Sequence, residues 1–232
     1  MKNLQELYSN LSEQDRKELR IQADLLTKIW DKIGIKHFLT ASEVLKTVYG
    51  DNIKLPIDPR DITAHFGIKV VQRSNMEVRG LSQFDGNNIE IHYKPTYNNG
   101  NRDRFTIAHE LGHIFLHFLE GQKFEFKDEF LKDGFNDLGE ISQSISPIMF
   151  RAARKDDDLN TDILENEANI FAGELLVPQK EIGVLKNRLE KGERYRSSDL
   201  CRYFQVSNGT MFYVMKNYNE WDSMVADDYF WQ

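Results

Sequence analysis

The run His109-Glu110-Leu111-Gly112-His113 constrains this chain more than any other feature. It lies between the apolar stretches Arg104-Phe105-Thr106-Ile107-Ala108 and Ile114-Phe115-Leu116, in a segment that reads as a helix with Asn101 as its cap. Residues four apart on a helix share a face about one turn apart, so both imidazoles reach one small cation. The glutamate between them then stands beside any water that the cation holds. This is the arrangement that a zinc-dependent hydrolase requires. Two His and one Glu at this spacing arise by chance in roughly one chain in a hundred of this length. The competing reading is an amphipathic core helix with two satisfied histidines.

A catalytic zinc takes three protein ligands and keeps one position for water. The best source of the third is the segment Thr161–Pro178, helical by pattern, with Thr161 or Asp162 as its cap and Pro178 as its stop. Glu165, Ala168, Asn169 and Ala172 share one face of it. The alanines allow close approach to the His109/His113 helix, which makes Glu165 the expected ligand. Asn169, one turn on, is placed to hold a ligand histidine or the Glu165 carboxylate from behind. Glu167 is the rival ligand. It points about 200° around the helix from Glu165, and its simplest reading is a solvated charge. Glu174 reads as surface. His117 extends the four-residue series but lies about 12 Å along a continuous helix from His109, too far to share an ion. It is expected to pack, or to support a ligand. His37, His65 and His92 carry no stronger claim.

These blocks resemble the ImmA/IrrE family of bacterial and phage metallopeptidases. The resemblance rests on Arg104–His113, on Glu165-x-x-Ala168-Asn169-x-Phe171-Ala172-Gly173-Glu174-Leu175-Leu176-Val177-Pro178, and on Leu55–Ile62 with Phe66–Val70. It implies a small gluzincin-like fold with two His and one Glu on zinc. It also implies a regulatory role, the cleavage of a helix-turn-helix transcriptional repressor. The stretch between His113 and Glu165 is longer than the family's usual one, and the N-terminal residues are additional to it.

Composition limits the alternatives. A chain of 232 residues with 40% hydrophobic content buries a core of its own, and 29% charged residues suit a water-exposed surface. A net charge of −7 disfavours non-specific nucleic-acid binding. The single cysteine, Cys201, forms no intramolecular disulfide and reads as a packed residue in a reducing compartment. No membrane-spanning run or signal peptide is evident, so a cytoplasmic protein is expected.

The expected fold is α+β: a small three-stranded sheet packed on a helical core, with extra N-terminal helices and a C-terminal helix-turn-helix-like segment. Residues 1–50 form the N-terminal extension, with helices at Ser12–Ile33 and Ala41–Tyr49. Residues 51–180 form the catalytic domain, with a helix from Asp58–Pro59 to Gly67 and strands at Ile68–Gln72, Gly80–Phe84 and Ile89–Tyr93. Within it, 120–160 reads as an insertion or lid whose acidic run Lys155–Asp158 is simplest as a solvated loop. Residues 181–232 contain the helix pair around Leu200, Phe204, Val206, Met211 and Met215. That pair is expected to pack on the catalytic domain or dock a partner; DNA contact is the weaker reading, despite a basic tilt. An exposed sheet edge beside the metal would suit an extended peptide.

The expected chemistry is peptide hydrolysis, with His109, His113 and Glu165 on Zn²⁺ and Glu110 as the base; Mn²⁺ is conceivable in the same site. The alternatives are a non-proteolytic antirepressor, a DNA-binding regulator and a toxin-like protein using the same fold.

Overall fold

The structure is a computed structural model and describes residues 12–14, 16–17, 30–34, 39–84, 88–97, 99–117, 124–126 and 157–226. The ends of the first expected helix are helical, at Glu13, Gln14, Arg16 and Lys17 and again at Trp30–Ile33, and Gly34 takes a positive φ of 74°. Its middle, His37, the turn at 85–87 and most of the expected lid lie outside the described residues.

Helix α1 (Ala41–Tyr49) opens on a capping box: the Thr40 hydroxyl accepts from the Glu43 N–H, and the Glu43 carboxylate accepts from the Thr40 N–H. Its Ala41, Val44 and Leu45 are buried in the shared core, so this part of the N-terminal extension packs rather than standing off. Helix α2 (Pro59–His65) has Asp58 as its cap and proline in its first turn.

Three strands follow as expected: β1 (Lys69–Gln72), β2 (Gly80–Phe84) and β3 (Ile89–Tyr93). A short fourth strand, β4 (Phe124–Phe126), extends the sheet from within the polar stretch that read as a lid. The order is β1-β3-β2-β4, with β1 parallel to β3 and the other two pairs antiparallel. Side chains alternate across the sheet, so Ile89, Ile91 and Tyr93 share one face. Ser82 stands opposite Ile91 and Gly80 opposite Tyr93, which puts both on that face. The face packs on helix α3 (Gly100–Leu116).

Helix α3 is buried continuously from Arg104 to Phe115, between the sheet on one side and helix α4 (Asp157–Leu176) on the other. An all-round apolar environment explains why its flanks are hydrophobic on every face. Phe115 meets Phe66 edge-on and stacks on Phe171, which ties α2, α3 and α4 together. Two expected boundaries are corrected. The cap of α3 is Asn99, whose side chain accepts from the Arg102 N–H, while the Asn101 amide reaches the Val206 carbonyl. Helix α4 starts at Asp157, so Thr161 and Asp162 lie inside it rather than capping it.

Beyond Pro178, helix α5 (Gln179–Lys186) precedes the helix pair α6 (Ser197–Phe204) and α7 (Asn208–Asn217), and α8 (Trp221–Met224) follows. Leu200, Phe204, Val206, Met211 and Met215 are all buried, as the apolar pattern requires, and α7 packs on α4. The outward cations of the pair meet acids: Arg202 lies 3.9 Å from Asp199 and Lys216 lies 2.8 Å from Asp222. Buried Arg104 joins this region to α3 by donating to the carbonyls of Phe204, Gln205 and Ile57. Among the described residues, no helix is long and apolar enough to cross a membrane.

Candidate metal centre

Two helices each present a pair of side chains one turn apart, His109 and His113 from α3, Glu165 and Asn169 from α4. The helices meet at Gly112 and Ala168. A methyl group on Gly112 would stand 2.9 Å from Ala168 Cα and 3.0 Å from its carbonyl oxygen, so the backbones are as close as glycine permits. That approach brings the four side chains into one buried cluster.

His109 Nε2 lies 3.1 Å from Glu165 Oε2, His113 Nε2 lies 3.4 Å from Glu165 Oε1, and the two Nε2 atoms are 3.0 Å apart. In tetrahedral zinc sites with bonds of about 2.0–2.2 Å, neighbouring ligand atoms stand about 3.3 Å apart. The three donors are therefore spaced as a small divalent cation requires, and they form a group able to hold one.

Their protonation suits the same purpose. The Asn169 amide oxygen, which can only accept, is 3.0 Å from His109 Nδ1. That nitrogen carries the proton, and Nε2 keeps its lone pair. Burial pushes His113 down to about 3, so its imidazole is neutral near pH 7. Burial raises the proton affinity of Glu165, but its contacts with His109 and His113 outweigh this and bring it down to about 2, so the carboxylate is ionised. A neutral imidazole and an ionised carboxylate are the forms in which His113 and Glu165 bind a metal.

Glu110 differs from its neighbours. It is fully buried, and among the described residues neither carboxyl oxygen meets a hydrogen-bond partner in good geometry. Burial raises its pKa well above the ordinary carboxylate value; Ser82 opposes the rise, and the negative charge of Glu165 adds to it. A buried, unpaired carboxyl is costly. It lies against β2, where Gly80 leaves room for it: a methyl there would come within 2.4 Å of Glu110 Oε1. A carboxyl whose proton affinity is raised in this way is suited to take a proton from water and pass it on.

Glu165 and Asn169 thus stand where the small-residue face puts them. Glu167 does not lie free in solvent. It accepts from His117 Nε2 at 2.7 Å, and His117 Nδ1 in turn meets His113 Nδ1 at 3.1 Å. His117 is buried beside the cluster but is not one of the converging donors. Glu174 is only partly exposed, and burial raises its pKa. Cys201 is half-buried, its thiol pushed up to about 11 by burial, with Sγ donating to Asn208 Oδ1. Gly80, Ser82 and the Gly112 contact were not read from the sequence as parts of the site. Gly112 was the accessible one, since a glycine inside a helix needs a packing reason.

Residues 63–136 match the family described as the IrrE N-terminal-like domain, a metallopeptidase family. The matched stretch holds His109, Glu110 and His113 but stops short of Glu165, whose place in the centre rests on geometry alone. No curated protein matches the chain.

Proposed function

We propose, from the match of residues 63–136 to the IrrE N-terminal-like domain, that the chain is a zinc-dependent endopeptidase that cleaves a helix-turn-helix transcriptional repressor. The observation that carries the reading is the meeting of His109, His113 and Glu165 around one point, with the buried carboxyl of Glu110 near enough to feel the charge of Glu165. Nitrogen and oxygen donors of this kind favour zinc, with manganese the alternative.

His109 and His113 would hold the ion through Nε2 and Glu165 through its carboxylate. Zn²⁺ bound there supplies a water acidified towards neutrality and polarises the scissile carbonyl. Asn169 holds the His109 ring so that its lone pair points inward. Glu110 accepts the water proton on its carboxylate and delivers it to the departing amine nitrogen. All five of these side chains are buried, as is Ser82 of β2, so charge developing during the reaction is little screened by solvent. The same burial means that a peptide reaches Glu110 only after the surrounding chain opens. A substrate strand is expected to pair with a sheet edge, β4 being the edge next to β2.

The experiment incubates purified protein, Zn²⁺ and the helix-turn-helix repressor encoded by an adjoining reading frame. Discrete shortening of the repressor, blocked by chelator, supports the protease. An intact repressor held in a stable complex points instead to a non-proteolytic antirepressor.

A further inference from the structure

His117 and Glu167 have no part in the reaction described above, yet they are joined to it by two hydrogen bonds. We propose that Glu167, His117 and His113 form a proton-ordered chain that fixes His113 as a cation ligand, with Glu167 as the positioning residue at its outer end. The proposal rests on the metal-centre reading and adds to it.

The order of protons follows from the outermost group. An ionised carboxylate can only accept, so the 2.7 Å contact with Glu167 Oε2 requires the proton of His117 to be on Nε2. His117 Nδ1 then holds a lone pair and accepts across 3.1 Å from His113 Nδ1–H. His113 Nε2 is left with its lone pair, facing His109 Nε2 and Glu165. Each step fixes the next, and the last delivers the form that binds a cation. His109 reaches the same state through the neutral Asn169 amide. The two ligands are therefore backed differently, one by an amide and one by an imidazole leading to a carboxylate.

The backbone allows this because α3 ends at His117. Its φ of −131° takes it off the helical path while its N–H still bonds to His113. Its ring is buried, whereas the Glu167 side chain is 39% exposed. Glu167 borders a cavity of about 220 Å³ that Leu116, Phe171 and Glu174 also line. A residue merely satisfying a buried histidine would serve equally well whichever way the protons ran. A positioning residue would not.

Glu167 is far enough out to be changed without hollowing the core. In E167L the side chain cannot accept and excludes a replacement water; in E167Q the amide oxygen still accepts. Glu174→Gln removes a like carboxyl from the same cavity and the same helix without touching the chain. Co²⁺ titration, read by its visible absorption, and competition with a chelator give the affinities. The expected result is at least about a tenfold weakening in E167L, a smaller change in E167Q and none in Glu174→Gln, with all three metal-free variants melting cooperatively as folded proteins. ¹⁵N-resolved NMR of the loaded native protein should find the His117 proton on Nε2. E167L binding Co²⁺ like the native chain, or a His117 proton on Nδ1, overturns the chain while leaving the metal centre intact. Failure of the native protein to bind Co²⁺ overturns both.

Discussion

Gly80 and Glu110 share a space that holds only one of them and a hydrogen atom. A methyl on residue 80 would fall 2.4 Å from Glu110 Oε1 and 2.8 Å from Thr106 Cγ2. Glu110 Oε1 ends a flexible side chain and can swing away, whereas the β-branched Thr106 gives only by a small shift, so Gly80→Ala should fold with Glu110 displaced. The carboxyl of Glu110 should pay for it in position. Displacement by about 1 Å costs on the order of a hundredfold in rate. Peptide hydrolysis by Gly80→Ala is expected to fall by about that factor, with zinc content unchanged. Full activity would show that Glu110 does not act from the position seen here.

At Gly112 the neighbours cannot yield so easily, because two of them are the backbone of Ala168. Gly112→Ala would gain about 1 kcal/mol of helix propensity in isolation. Forcing the helices apart should cost about 1–3 kcal/mol and spread the ligands. Urea unfolding of the metal-free protein is expected to show no gain in stability, and cation affinity should drop. A variant that is more stable and binds as tightly would mean that the contact is not tight in solution.

The features read most easily from the sequence were those that depend on one helix at a time. The spacing of His109 and His113 fixes a shared face, and the run Glu165, Ala168, Asn169, Ala172 shows which side of α4 approaches it. Strands β2 and β3 were legible to the residue because period-two patterns bounded by turn residues leave little freedom. The cap of α3 was not, since Asn99 and Asn101 are chemically identical and only a contact with Val206, more than a hundred residues on, occupies one of them. The pairing of His117 with Glu167 was hidden for a related reason. It needs His117 to leave the helix and Glu167 to reach it from a face of α4 that looks solvated when that helix is considered alone.

Glu110 also makes a prediction about pH. Its folded pKa is raised above the unfolded value of 4.5. Its contribution to stability is therefore fully present below that value and is lost as pH climbs towards and through the raised folded pKa. In Glu110→Gln this loss is absent. Denaturation of the metal-free proteins should show the variant gaining on the native chain as pH rises above the ordinary carboxylate range, by up to about 1.4 kcal/mol per pH unit. A difference that does not vary with pH would place Glu110 in a more solvated setting.

Arg104 is the buried clamp between α3, the segment before α2 and the end of α6. One of its nitrogens reaches the Gln205 carbonyl at 2.5 Å and the Phe204 carbonyl at 3.3 Å, and the other reaches Ile57. Replacing it by methionine keeps the bulk and strands these acceptors, each costing about 1–3 kcal/mol when buried. Arg104→Met is expected to lose at least about 2 kcal/mol in urea unfolding. An unchanged midpoint would mean that water serves these carbonyls equally well.

Anomalous diffraction from crystals grown with zinc, recorded on both sides of the zinc absorption edge, tests the centre most directly. A single strong peak is expected about 2.0–2.2 Å from His109 Nε2, His113 Nε2 and a Glu165 carboxylate oxygen. A peak elsewhere, or one in which Glu165 takes no part, would contradict the account.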